Sequence, residues 1–506
     1  MHDERSKSLA RTGMKDRMEQ LLEWATGRGA VWAGALEVKA GARGRGVFCA
    51  EAVKSGELLL RLPHSLAVRP LPQIATLVAG GECSGVLGLV LTLIHGLQLH
   101  GGPSAATTPF FRDLAETELP GIPAFWLPSE RAHLTGTTLD SANAAEDGAK
   151  IFERDALPMM ERLGAGLFPP QARTLVAFEA ALSWVTSRGF RGRVSYEIGH
   201  LFPYLAADGP PSREDGPYML PLVDLVNHTS DPSQLTTVLA KVGGEGRAIG
   251  GGDDDAACCC FEMRAARDLQ AGEEVLHSYG AHDAADLVRT YGFCDDTAPA
   301  FAWSANISRE ELVRAAGRAP RPSTQSLAAA AAQLFKQDWV PPIFTLRSGS
   351  GGDGVGDELA LPKYLLSSVQ VLSFGEEEFA AWVEAGCIPL GEGYLDDDSI
   401  STVVACLTEV ASVGLQRYPG EDTVVTAAET AARVSGEVTT QSDRRSLIGA
   451  TLRARERLLF AMMKKEAVAV YFRYEEALHD EVEDGSQSDC DSAAGGEEDR
   501  PSKRQK

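Results

Sequence analysis

An apolar run at residues 220–229, interrupted by Asp224 and closed by Asn227 and His228, is the feature that most constrains the fold of this chain. Such a run is typical of a short segment that lies mostly in the core, with its carboxamide and imidazole where the core opens. Alone, an Asn-His pair is most often a hydrogen-bonded turn. It indicates a function only if other motifs accompany it.

Other motifs do accompany it, before and after it along the chain. They are, in chain order, a Gly-rich turn at 43–48, an extended stretch at 55–63, Ser-Arg-Gly-Phe at 187–190, a segment at 266–280 that ends in Tyr279-Gly280, and Tyr-Gly-Phe at 291–293. Several motifs in one order are far more specific than any single motif.

Hydrophobic periodicity separates strands from helices. A helix is predicted at 14–27, and short apolar or alternating runs predict strands at 36–39, 46–50, 58–62, 234–242 and 259–264. Helical spacing predicts a block of helices at 86–99, 129–134, 147–163 and 171–187, and a second group near 308–316, 324–336, 363–372, 376–385, 400–417, 421–434 and 444–478. The first block therefore interrupts a β fold.

The motifs and their order resemble the SET-domain protein methyltransferases, and most closely the Rubisco large-subunit methyltransferase type. This resemblance implies an α+β fold, in which a SET domain of short strands (a β-clip) is interrupted by a helical insert and followed by an all-α C-terminal domain. It divides the chain into an N-terminal helix at 1–30, a first SET part at 31–79, the insert at 80–205, a second SET part at 206–297, a helical substrate-binding domain at 298–479 and an acidic tail at 480–506. We expect this tail to be disordered, because it has hardly any apolar side chains.

The resemblance also implies a reaction, the transfer of a methyl group from S-adenosylmethionine to a protein nitrogen. An in-line displacement needs a neutral amine opposite the leaving sulfur, so geometry is the main requirement. Desolvation and the positive sulfonium both lower the pKa of a lysine amine, so no strong general base is needed. Tyrosines suit such a channel, because their rings exclude water while their hydroxyls orient the amine.

By resemblance, the catalytic residues are Tyr279 and Tyr291. Backbone groups of a Gly-rich turn approach a ligand closely, an Asn carboxamide both donates and accepts hydrogen bonds, and an arginine pairs with a carboxylate such as that of the cofactor. Asp224 has two interpretations, a contact with the substrate or a structural carboxylate that is hydrogen-bonded to the backbone. The resemblance implies cofactor contacts for Arg43, Gly44, Arg45, Arg188, Asn227, His228 and Tyr279, and substrate contacts for Arg188, Asp224 and Tyr291.

Two positions depart from the family pattern. Ala284 stands where the family often has asparagine, and Gly192 stands where a second arginine is often found. Both changes concern the acceptor channel more than cofactor binding, so they leave substrate choice and, to a lesser degree, activity open. The sequence lacks the cysteine-rich zinc segment of many histone methyltransferases, so we expect no metal.

The formal net charge of −23 limits the partners. A surface this acidic repels phosphate backbones, which predicts no direct nucleic-acid binding, although it favours a Lys- or Arg-rich protein segment. No run reaches the roughly 18–20 apolar residues of a membrane span, and the N-terminus has neither a secretory nor an acid-poor transit composition. We expect a monomer in the cytoplasm or nucleus, with a plastid location left open.

The leading hypothesis is an S-adenosylmethionine-dependent N-methyltransferase that modifies a lysine of a non-histone protein, with the C-terminal helices docking that substrate. Two alternatives stay open. The same fold in a related actin-histidine methyltransferase implies a histidine acceptor, whose neutral imidazole needs less deprotonation. Alternatively, the chain is a catalytically inactive SET-type binding module, an interpretation that Ala284 favours.

Overall fold

The computed structural model describes residues 15–100, 109–140, 148–190, 217–242, 260–280, 282–295, 303–320, 326–348, 359–362, 364–385, 397–418 and 441–486. The chain forms two compact units. The first comprises residues 1–303 and 422–453, and the second comprises residues 304–421 and 454–506. No helix in the described ranges is long and apolar enough to cross a membrane.

The strands of the first unit are short and form several small sheets, as a SET domain of short strands predicts. They are β1 (Val31–Trp32), β2 (Leu36–Gly41), β3 (Gly44–Cys49), β4 (Leu58–Pro63), β5 (Gly189–Phe190), β6 (Tyr218–Met219), β7 (Asn227–His228), β8 (Thr237–Val242), β9 (Cys260–Ala265) and β10 (Leu276–His277). An antiparallel sheet has the order β1-β4-β9-β8, while β2 pairs with β3 and β5 pairs with β6, both antiparallel. Strands β7 and β10 are parallel, which brings two distant motifs side by side.

Most helices of the first unit lie between β4 and β5, so the predicted helical block does interrupt the strands. The helices are α1 (residues 15–26), α2 (Pro72–Ala79), α3 (Gly85–His100), α4 (Pro109–Glu116), α5 (Pro128–Arg131), α6 (Gly148–Ile151), α7 (Leu157–Leu163), α8 (Leu175–Arg188) and α9 (Ala284–Tyr291). Helices α2 and α4 have no counterpart in the sequence-based prediction. Each begins at a proline, which fixes φ for a first helical turn but is also typical of a loop.

In the core of the first unit, these helices pack with the strands in one hydrophobic cluster. Helix α3 is apolar on nearly every side, and Leu89, Leu91 and Leu93 are fully buried, as expected for a helix inside the fold. Strand β4 contributes Leu59 and Leu62 to the same cluster. The prediction of a buried helix at 86–99 is therefore confirmed.

The second unit is mainly helical, but it is not all-α. Its helices are α10 (Arg309–Ala316), α11 (Leu327–Leu334), α12 (Leu365–Ser373), α13 (Glu376–Ala385) and α14 (Asp397–Leu415). An antiparallel sheet of β11 (Ser304–Ser308), β12 (Ile343–Ser348) and β13 (Leu359–Ala360) corrects the expectation of an all-α domain. The serines and Asn306 of β11 have low strand propensity, so its cross-strand pairing with β12 decides its structure.

A long final helix, α15 (Gln441–Ser486), is divided between the two units. It continues past the predicted start of the disordered tail at residue 480, because no proline or glycine interrupts residues 480–484. The rest of the predicted tail, like the predicted helix at 421–434, lies outside the described residues.

Candidate active site

The Asn-His pair and the segment before Tyr279 lie side by side. In the parallel pair of β7 and β10, Asn227 is opposite Leu276 and His228 is opposite His277. The backbone N–H of Tyr279 donates to His228 Nδ1 over 3.0 Å, and the two rings pack with centroids 4.9 Å apart. Two motifs separated in sequence therefore form one structure.

The His228 side chain supports Tyr279 and stays neutral. Burial lowers the pKa of His228 from 6.5 to about 4. Because Nδ1 accepts the Tyr279 N–H, the neutral ring carries its proton on Nε2, which lies 3.0 Å from Ser230 Oγ. This arrangement fixes the position of the Tyr279 backbone.

Tyr279 is held at both ends. Its hydroxyl donates to the Val226 carbonyl oxygen over 2.9 Å, while its backbone is bound by His228. Burial raises the pKa of Tyr279 to about 12, so the phenol is neutral at physiological pH. Its ring lies against the Tyr291 ring, with centroids 4.9 Å apart and planes inclined by 38°.

Helix α9 positions Tyr291 next to Tyr279. The Asp283 side chain caps its first turn by accepting the Asp286 N–H, and Gly292 ends it in the left-handed region at φ 76°. A Cβ on Gly292 would lie 2.8 Å from the backbone of Gly121, so only glycine fits there. Tyr291, the last residue of α9, is fixed by both features.

An ion pair between Arg188 and Asp224 is also part of the site. Arg188 Nη1 donates to Asp224 Oδ2 and to the Asp224 carbonyl oxygen, each over 3.0 Å, and its guanidinium lies 5.0 Å from the Trp184 ring centre. Burial raises the pKa of the Asp224 carboxyl group. Its second oxygen, Oδ1, has no hydrogen-bond partner among the described residues. That oxygen is a candidate acceptor for a ligand N–H.

The Asn227 carboxamide is fixed by a carboxylate that the sequence analysis did not single out. Asn227 Nδ2 donates to the Arg45 carbonyl oxygen over 3.1 Å and to Glu274 Oε1 over 2.9 Å. A Cβ on Gly46 would lie 2.6 Å from both Asn227 Nδ2 and Glu274 Oε1, so the glycine makes this contact possible. With both amide hydrogens committed here, Asn227 offers its carbonyl oxygen elsewhere.

Both arginines of the Gly-rich turn pair with carboxylates of this chain. Arg43 donates to Glu274 Oε2 over 3.2 Å. Arg45 forms a bidentate pair with Asp113 of α4, over 2.6 and 2.8 Å. Gly44 between them has φ 89° and turns β2 into β3. Asp113 was missed because no helix was predicted where α4 lies.

One cavity of about 130 Å³ brings most of the predicted site together. Six predicted residues line it, whereas Arg43, Gly44 and His228 do not. The predicted departure at Gly192 lies outside the described residues, and Ala284 is buried in the first turn of α9. The lining residues are Arg45, Pro120, Ser187, Arg188, Asp224, Leu225, Asn227, Tyr279, Tyr291 and Phe293.

With this geometry in hand, comparison with known proteins identifies the domain. Residues 44–280 match the family model described as "SET domain". The chain contains a SET domain. Its match spans the Gly-rich turn, the Asn-His pair and Tyr279, with the helical insert between them.

Relatives and solved structures agree with this result. The chain is 25% identical over 371 residues to the mouse N-lysine methyltransferase SETD6, a match that covers 71% of this chain and 69% of the relative. It is 24% identical over 358 residues to the rat N-lysine methyltransferase SETD6, covering 69% and 65%. Its fold is similar to that of the SET domain of LSMT bound to lysine and AdoHcy, with a TM-score of 0.61, 16% identity and coverage of 95% and 97%. Rubisco LSMT bound to AdoMet gives a TM-score of 0.56, 15% identity and coverage of 94% and 97%.

The residues of the SET-domain cavity fit S-adenosylmethionine. The Asn227 carbonyl oxygen is an acceptor for an N–H group of the cofactor. The rings of Tyr279 and Phe293 supply apolar walls against which a flat base or a methyl group packs. A lining that combines polar groups with aromatic rings suits a ligand that has both polar and apolar parts.

Proposed function

We propose that this chain is an S-adenosylmethionine-dependent N-methyltransferase that modifies a lysine side chain of a non-histone protein. The observation that carries the proposal is the single cavity in which Tyr279 and Tyr291 face each other beside the Arg188–Asp224 pair and Asn227. The names of the SETD6 relatives support lysine as the acceptor. The resemblance to the Rubisco type supports a non-histone substrate.

Tyr279 presents lone pairs to the reacting centre. Its hydroxyl proton is directed to the Val226 carbonyl oxygen, so the phenol oxygen keeps acceptor capacity on its other side. When bound, S-adenosylmethionine supplies an electrophilic methyl group on a sulfonium centre. A neutral phenol oxygen orients such a methyl group through weak C–H···O contacts without competing as a nucleophile.

Asp224 and Arg188 orient the acceptor amine. Arg188 occupies one carboxylate oxygen of Asp224, which leaves Oδ1 to accept an N–H from the amine. The Tyr279 and Tyr291 rings exclude water from the amine, and this desolvation favours its neutral form. The residues therefore hold a lone pair in line with the methyl group, and the rate gain comes mainly from that positioning.

We assign docking of the substrate protein to the helical domain predicted at 298–479. We also propose that the enzyme is a monomer and that it does not bind nucleic acid directly. The formal charge of −23 supports a basic segment around the acceptor lysine and opposes phosphate backbones. Light scattering during size-exclusion chromatography tests whether the protein is a monomer in solution. A methylation assay with added DNA tests for nucleic-acid binding, and we expect the DNA not to inhibit methyl transfer.

The acceptor is tested with two peptide libraries of random sequence, one with a single central lysine and the other with a single central histidine. Each is incubated with the full chain and S-adenosylmethionine labelled with tritium in its methyl group. We expect label on the lysine library, located on the side-chain nitrogen by mass spectrometry. Label only on histidine would identify the alternative acceptor, and calorimetry without S-adenosylmethionine binding would favour the inactive binding module.

Replacement of Tyr279 by phenylalanine tests the catalytic role. Tyr279→Phe removes the phenol oxygen but keeps the ring, so we expect at least a hundredfold loss of kcat, on the order of an oxyanion-type contact, with a cofactor Kd within about threefold. Tyr218→Phe is the matched control, since Tyr218 is also buried but does not line the cavity. A Tyr279→Phe enzyme as active as Tyr218→Phe would refute the role.

A further inference from the structure

His282 precedes helix α9 and contacts Tyr291, a residue that lines the cavity. Its backbone N–H donates to the Gly280 carbonyl oxygen over 2.8 Å, and Gly280 has φ 136°. A Cβ on Gly280 would lie 3.0 Å from His282 Nε2. The imidazole is therefore folded back over the glycine, in a turn that leaves little room for another side chain.

The imidazole reaches Tyr291 from outside the cavity. His282 Nε2 lies 3.3 Å from the Tyr291 hydroxyl oxygen, and the two rings meet edge to face with centroids 5.5 Å apart. Tyr291 lines the cavity, whereas His282 does not. Any effect of His282 on the acceptor amine therefore passes through the Tyr291 hydroxyl.

The direction of one proton decides what Tyr291 offers to the amine. A phenol has a single O–H donor and acceptor lone pairs. If that proton points into the cavity, it bonds to the amine lone pair, which is the electron pair that must attack the methyl group. If the proton points to an outside acceptor, the phenol oxygen accepts an amine N–H and leaves the lone pair free.

We propose that His282 is a positioning residue that accepts the Tyr291 hydroxyl proton at Nε2 and so makes Tyr291 a hydrogen-bond acceptor toward the substrate amine. This inference rests on the proposed methyl transfer. It requires the imidazole tautomer with its proton on Nδ1. The same geometry favours an amine that still carries an N–H for Tyr291, so His282 also affects how many methyl groups are added.

The first test measures the tautomer and needs no substrate. In protein labelled with ¹⁵N-histidine, long-range ¹H–¹⁵N correlation spectra separate protonated from unprotonated ring nitrogens. We expect His282 Nε2 to be unprotonated, and its resonance to shift in Tyr291→Phe. A His282 ring protonated on Nε2, or a resonance unchanged in Tyr291→Phe, would overturn the inference.

The second test is a double-mutant cycle with the lysine peptide most strongly labelled in the library. His282→Leu removes the acceptor, and we expect kcat to fall about three- to tenfold, the range of one hydrogen bond, with the cofactor Kd unchanged. In the Tyr291→Phe background, the same substitution should change kcat less than about twofold. His282→Gln, whose carbonyl oxygen accepts a hydrogen bond, should recover most of the loss and the wild-type ratio of methylated products.

The outcomes separate the inference from the proposed function. Equal losses from His282→Leu with Tyr291 and with Tyr291→Phe would overturn the positioning role, and so would a His282→Gln enzyme no better than His282→Leu. Absence of methyl transfer by the wild-type enzyme on the lysine library refutes the proposed function instead, and the NMR result still decides whether His282 bonds to Tyr291.

Discussion

Two buried histidines near Tyr279 make the stability of this protein sensitive to acid. Burial lowers the pKa of both His228 and His277 from 6.5 to about 4, and the His228 ring further lowers the pKa of His277. Between pH 6.5 and 4 the unfolded chain therefore binds more protons than the folded chain, so the free energy of unfolding falls as the pH falls. Above about pH 7.5 both states are nearly neutral at these sites, and their contribution is constant.

The size of the loss follows from the same pKa values. At pH 5 a histidine whose pKa is about 4 in the folded chain and 6.5 in the unfolded chain has lost about 2 kcal/mol of stabilisation relative to pH 7.5. The pair accounts for a loss of about 4 kcal/mol, a large fraction of the stability of a typical domain.

Substitution of His277 by leucine isolates one of the two titrations. His277 Nδ1 has no hydrogen-bond partner among the described residues, so replacement by leucine breaks no hydrogen bond of this atom. We expect the difference in unfolding free energy between pH 7.5 and pH 5 to be smaller by about 2 kcal/mol in His277→Leu than in the wild type. Between pH 7.5 and 8.5 the two proteins should show parallel stability.

Urea unfolding of the full chain, followed by circular dichroism and tryptophan fluorescence, measures these differences at each pH. An NMR titration of the histidine rings gives an independent measure, in which His228 and His277 stay neutral down to about pH 5. An unchanged pH dependence in His277→Leu, or a His277 ring that titrates near 6.5, would show that burial does not keep this histidine neutral.

Two further substitutions test how the site is built. Gly46→Ala puts a methyl group 2.6 Å from Asn227 Nδ2, so we expect at least tenfold weaker S-adenosylmethionine binding by calorimetry. Gly34→Ala is the control, because an added Cβ there meets nothing within 4 Å, and it should bind the cofactor normally. Equal affinities of the two variants would contradict the role of Gly46. Asp113→Asn leaves the partly buried guanidinium of Arg45 without its counter-charge, and urea unfolding should show a loss of about 2–4 kcal/mol. A loss below about 0.5 kcal/mol would mean that solvent already screens this pair.

The main strands and helices were predictable because their signals are local. Helices α3 and α8 have long helical periodicity, and strands β3, β4 and β9 have apolar or alternating runs between turns. Strand β11 was not predicted, since Ser304 and Asn306 carry no strand signal of their own. Their strand conformation comes from pairing with β12, which no window of local sequence contains.

The candidate site, too, was predictable from the sequence only in part. The residue types, their order and the resemblance they support led to Tyr279, Tyr291, Asn227 and Arg188, and the structure brings these four into one cavity. Glu274 was not predicted, because its role depends on contacts with Asn227 and Arg43, which lie 47 and 231 residues away in the chain.

What the sequence determined by itself was therefore the set of chemical groups and the secondary structure that carries most of them. Only the tertiary structure decided that Asp113 binds Arg45, that His282 lies against Tyr291 and that His228 stays neutral. The physical reason is that a hydrogen-bond partner and a pKa depend on distance in space and on burial, and both arise when segments far apart in the chain pack together.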